Sequence, residues 1–113
     1  MRLLRLPPEA RRAITRHGSQ GAAGALLARD DGATTVVCIA LESGGYLGRH
    51  PATDDQLFII IAGSGEVSGE DGAGQAIVAG MAAFWRAGEP HETRAGPVGL
   101  LAIVIEGPDT RTY

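Results

Sequence analysis

Gly44-Gly45-Tyr46-Leu47-Gly48-Arg49-His50-Pro51-Ala52-Thr53-Asp54-Asp55-Gln56-Leu57-Phe58-Ile59-Ile60-Ile61-Ala62-Gly63 is the stretch on which the reading of this chain turns. A glycine turn leads into a short strand ending at Arg49-His50. A polar corner at Thr53-Asp54-Asp55 follows, where Asp favours turn geometry. Leu57–Ala62 is then the most hydrophobic run in the chain, stopped by Gly63-Ser64-Gly65. Side chains alternate along a strand with period two, so Gln56, Phe58, Ile60 and Ala62 share one face. If that face looks inward, Gln56 sits at the rim of whatever the strand encloses.

The same grammar extends in both directions. Ala22–Ala28 and the β-branched Thr34–Leu41 flank Arg29-Asp30-Asp31-Gly32, a hairpin turn of the Asp-Gly kind. Beyond Gly63, a turn at Glu70-Asp71-Gly72-Ala73-Gly74 leads to Gln75–Ala79, and Met81–Trp85, Pro90–Arg94 and Val98–Glu106 complete the set. Many short strands at 8–12-residue spacing indicate an all-β sandwich or barrel. The glycines recur too often for any helix longer than about two turns. So many strand edges call for closure or dimerisation, and a homodimer is expected. Residues 1–18 differ: Pro8 to Ile14 suits a helical turn or two, or an arm strand lying on a second subunit. The expected division is a 1–18 arm and one domain over 19–113.

Bulk composition narrows the function classes. With 113 residues, 44% hydrophobic and 20% charged, the chain can bury a core without disulfides or metal. The net charge of -3 argues against a nucleic-acid surface, and the ten basic residues, all Arg, read as genomic base composition and not as a binding device. Cys38, the single cysteine, lies in an apolar run and reads as a buried structural thiol. No apolar stretch approaches the ~20 residues of a membrane span. Pro7, Pro8 and Glu9 interrupt any signal-peptide core, so the cytoplasm is the default compartment.

Three polar residues stand out from the solvated background: His50, Gln56 and His91, the last following the Ala87-Gly88-Glu89-Pro90 turn. Two imidazoles and an amide oxygen converging in a barrel mouth would suit a divalent first-row metal. By spacing alone the signal is weak. His17, in the polar segment Thr15-Arg16-His17-Gly18, reads as an ordinary loop histidine.

Gly44 to Gly63 resembles the first cupin motif, G-x5-H-x-H-x3-4-E-x6-G, with every spacing kept through His50, Ala52 and Gln56. Gly80 to His91 resembles the second, G-x5-P-x-G-x2-H-x3-N: Gly80, Gly88 and His91 are in place, Arg86 stands at the usual proline and Ala95 at the asparagine. The resemblance implies a cupin-type double-stranded β-helix, or jelly-roll, barrel. It also implies a metal set of three histidines and a glutamate, of which Ala52 has lost one imidazole and Gln56 the carboxylate. A neutral set of His50, Gln56 and His91 would hold Fe, Mn, Ni or Zn weakly, because the +2 charge is left uncompensated in a cavity of low dielectric. Water or Asp54 would complete the shell. Alternatively the metal is lost, and the pocket binds a small molecule through the same polar groups. Expected pocket neighbours are Ala52, Phe58, Ile60, Phe84, Trp85 and Arg86, the last as a partner for a ligand carboxylate or phosphate.

Two function classes stay open. One is a metal-dependent enzyme acting on a small molecule, with the dioxygenase, isomerase or decarboxylase chemistry that the family implies. No general base is obvious in the sequence, which favours chemistry done by a metal over simple hydrolysis. The other is a non-catalytic module that binds or senses a metabolite, and a blander option beside both is a structural or assembly subunit whose pocket is vestigial.

Overall fold

The computed structural model describes residues 1–4 and 8–112; Arg5, Leu6 and Pro7, part of the N-terminal reading above, and Tyr113 lie outside the described residues. Seven strands follow one another: β1 (Arg12–Ala13), β2 (Gln20–Arg29), β3 (Thr35–Pro51), β4 (Asp55–Ser68), β5 (Gln75–Val78), β6 (Ala82–Trp85) and β7 (Pro90–Gly107). Short 3-10 turns occupy Pro8–Ala10 and Arg16–Gly18. All pairings are antiparallel, in the order β1-β2-β3-β7-β4-β5, and β6 pairs with β4 beside β5. No helix among the described residues is long and apolar enough to cross a membrane.

Two segments read from the sequence as pairs of short strands are single long ones, and β4 runs past its expected stop at Gly63 to Ser68. Thr35–Leu41 pairs with Leu100–Glu106, and after a break in register Tyr46–Pro51 continues along Pro90–Arg94. The breaks are β-bulges built on glycine. Gly44, Gly63 and Gly99 take φ of 67°, 81° and 77°, which a side chain would strain. Backbones also meet there: a Cβ on Gly45 would lie 2.6 Å from Gly21 O, and one on Gly63 would run into the Gly99 carbonyl. At this belt the long strands bend, so each contributes to both halves of the barrel.

The bulge in β7 also switches which residues face inward. His91, Thr93 and Ala95 are buried before it, and Leu100, Ala102 and Val104 after it, a change from odd to even positions. The core joins these to Ala22, Leu41, Ala52, Phe58, Ile60, Ile77 and Trp85. Polar groups on the outside tie the strands together. Glu92 accepts from Tyr46 Oη at 2.5 Å and from Ser68 Oγ at 3.3 Å, while Arg49 donates to Ser68 Oγ and the Gly69 and Glu70 carbonyls.

The N-terminal arm folds back on its own barrel. Arg12 and Ala13 pair with Gly24 and Ala23, and Ile14 N donates to Ala22 O at 2.9 Å. Gly48 N donates to Ser19 Oγ at 3.0 Å. The His17 carbonyl seats on Gly48 so closely that a Cβ there would overlap it.

Candidate functional site: an imidazole-lined cavity in the barrel

A cavity of about 320 Å³ opens in the barrel, at the small end of the range for ligand pockets. Its apolar wall residues are Ile14, Val37, Ile39, Leu47, Phe58 and Val104. It is also lined by His17, His50, His91, Gln56, Glu106 and Trp85, with Arg16 from the arm and hydroxyls from Thr35, Thr53 and Thr93.

His50 and His91 are partners across the β3–β7 ladder, with ring centroids 4.5 Å apart and planes tilted by 53°. The Nδ1 of His50 lies 2.6 Å from Gly48 O, and that of His91 3.2 Å from Glu89 O. A carbonyl oxygen only accepts, so each Nδ1 carries the proton. In the neutral form of either ring Nε2 is then a free electron-pair donor, the tautomer a metal or a hydrogen-bond donor requires. Burial lowers the His91 pKa from its ordinary 6.5, and the neighbouring His50 adds to this against the raising effects of the Glu89 carbonyl and carboxylate. His91 is therefore neutral at neutral pH.

The rings belong to a longer column. His17 stacks on His50 at 4.2 Å with planes 6° apart, and Trp85 stacks on His91 at 4.4 Å and leans on Phe58. Gln56 is the register partner of both Trp85 and Glu106, and its Nε2 donates to Glu106 Oε2 at 2.5 Å. That bond fixes the amide with its oxygen free.

The other residues expected at the site are dispersed. Phe58 and Trp85 line the cavity. Ala52 is buried in the core, its N and O engaged with Glu89 O and Gly88 N, and Ile60 is core. Phe84 and Arg86 border a separate outer groove with Asp55 and Thr110 to Thr112. Asp54 does not line the cavity, and Asp55 accepts from Ala87 N at 2.9 Å. Among the cavity residues missed are His17 and Glu106. His17 arrives from a segment read as polar loop, and nothing in its local sequence signals the ring stack. Glu106 was legible: it continues the even-numbered series Leu100, Ala102, Val104 onto the inner face.

A metal is implied by the fold, so the donors require a test. Among the described residues, no group of three or more His, Cys, Asp or Glu is arranged to hold an ion. The available donors are two imidazole Nε2 atoms and the Gln56 amide oxygen. These are neutral donors of the types that divalent first-row ions accept.

No family model matches the chain, and neither does any curated protein. Solved structures do. A predicted oxalate decarboxylase from Thermotoga maritima is 24% identical, with 86% of this chain and 91% of that one covered at a TM-score of 0.75. The polyketide cyclase RemF from Streptomyces resistomycificus is 18% identical, over 99% and 83%, also at 0.75. An RmlC-like cupin from Shewanella frigidimarina is 20% identical, over 80% and 79%, at 0.71. The chain has the cupin-type barrel fold of these structures, as the spacing of its two motifs implied. Such likeness fixes the fold and leaves the chemistry to the site.

Proposed function

We propose that this cupin holds a divalent first-row cation weakly between His50 and His91, with the Gln56 amide oxygen as third donor, and that a small molecule occupies the rest of the cavity. The observation that carries this reading is the pair of Nδ1–H···O=C bonds, which leave two neighbouring imidazoles with free Nε2 atoms. A bound ion would act as a Lewis acid on a ligand oxygen. The chain's own groups do the rest: the apolar wall displaces water, the threonines offer hydroxyls, and the aromatic column holds both imidazoles in place. The similar structures include a predicted oxalate decarboxylase and a polyketide cyclase. We extend to this chain only the inference that its barrel handles a small organic molecule.

Calorimetric titration of untagged protein with Ni²⁺ is the test. One-to-one binding in the micromolar range, lost in His50→Ala and in His91→Ala, is expected. Absence of uptake, or uptake indifferent to both substitutions, overturns the reading.

A second reading, a metabolite-binding pocket without metal, draws on the stacking of His17 and Trp85 against the two imidazoles. Its signature is thermal stabilisation by an organic ligand that persists in EDTA.

A further inference from the structure

The neutrality of the donor set is the weakness of the metal reading, and Glu106 bears directly on it. Among the described residues, Glu106 is the one carboxylate lining the cavity. It sits on β7 directly across the ladder from Gln56, the position where the family motif carries glutamate, and the two side chains are bonded at 2.5 Å. The bulge in β7 makes this possible by turning the even-numbered face inward, whereas Glu92, on the near side of the bulge, faces out to Tyr46. Glu106 is not grouped with the imidazoles as a direct donor. Its contact is with the amide.

We propose that Glu106 is the displaced carboxylate of the site: a positioning residue that orients the Gln56 amide oxygen and supplies the negative charge that position 56 lacks, making the cavity selective for a cation. The inference rests on the proposed metal reading and deepens it. A carboxylate accepting the amide N–H fixes which end of the amide is free and polarises the oxygen as a donor. The negative charge, one strand removed, offsets part of the +2 charge without occupying a coordination position. The arrangement amounts to an exchange at position 56: the acid stands one register pair across from the place where the motif carries it.

The exchange can be reversed. Glu106→Gln keeps a hydrogen-bonding partner for Gln56 but removes the charge, and should weaken Ni²⁺ binding about 10–100-fold, as loss of such an outer partner does elsewhere. The double variant Gln56→Glu/Glu106→Gln restores one acid and one amide, and should return affinity to within about threefold of the parent or better. Thermal melts without metal accompany each titration, since a purely packing role would move the melts and not the affinity. The Co²⁺ visible spectrum should change in Gln56→Glu/Glu106→Gln, where a carboxylate replaces the amide oxygen. If the parent binds Ni²⁺ through His50 and His91 but Glu106→Gln binds as well, the role given to Glu106 fails and the metal reading survives. The role also fails if affinity falls in Glu106→Gln and stays low in the double variant. If the parent itself takes up no Ni²⁺, both fall.

Discussion

Adding one methyl group at Gly48 should unseat the N-terminal arm. Gly48 is buried, and its φ is not in the left-handed region, so Gly48→Ala probes space and not backbone preference. The new Cβ would overlap His17 O, lie 2.6 Å from the His17 carbonyl carbon and 3.3 Å from its Cβ. Carbon atoms settle at about 3.5–4.0 Å, so one side must retreat by about 1 Å or more. β3 is held by β2 on one side and β7 on the other, whereas the arm is held by a two-residue pairing and a few bonds. The arm gives way. The losses are the Gly48 N–Ser19 Oγ bond, about 0.5–1.5 kcal/mol; the His17–His50 stack, of similar size; and part of the burial of Ile14. Together these give about 2–4 kcal/mol, within the range of overpacking substitutions. At about 4 °C per kcal/mol for a chain of this size, the melting temperature should fall by about 10 °C. Urea denaturation measures the energy, and limited proteolysis within residues 8–18 reports the arm directly. A variant within about 0.5 kcal/mol of the parent, with unchanged proteolysis and His17 ring resonances, would show that the arm does not depend on this seat.

Acid should destabilise the fold through His91. Its pKa is lowered in the folded state, so the unfolded chain binds more protons; stability is complete above pH 6.5 and declines as pH falls below that value. The slope contributed by one such group cannot exceed about 1.4 kcal/mol per pH unit. Melting curves from pH 8 to 5 should show the decline, and His91→Gln should flatten it; an unchanged slope in the variant would assign the effect elsewhere. Tyr46 provides an outer-surface test. Its pKa is raised above 10.0, chiefly because its hydroxyl donates to Glu92. In Glu92→Gln the ultraviolet titration of Tyr46 should move down toward the ordinary tyrosine value, and coincidence of parent and variant curves would contradict the assigned bond.

The fold was legible because its decisive signals are local. Alternation in Gln56-Leu57-Phe58-Ile59-Ile60 and the glycine spacing around His50 and His91 depend on chain geometry alone. Bulges were less visible: Gly44 and Gly99 look like turn residues, and only the partner strand passing alongside shows that the strand resumes after them. That ambiguity concealed the full wall of the cavity. Trp85 and Phe58 follow from period two, whereas Phe84 and Arg86 take the opposite face and leave the cavity. His17 depends on a long-range contact, the fit of its carbonyl against Gly48, which no pattern in residues 11–20 encodes. Glu106 was readable in principle, but its meaning depended on Gln56 lying across from it.

The seating of β7 between β3 and β4 has a consequence for how the cavity breathes. His91 and Glu106 ride on a strand paired along both edges, whose amides should exchange with solvent only through global unfolding. His17 rides on a segment fastened mainly through a two-residue pairing and Gly48, whose amides should exchange through small local openings. Entry of a ligand then need not disturb the donors themselves: the rim yields at low cost while the interior stays assembled, and access and affinity are set by separate parts of the chain.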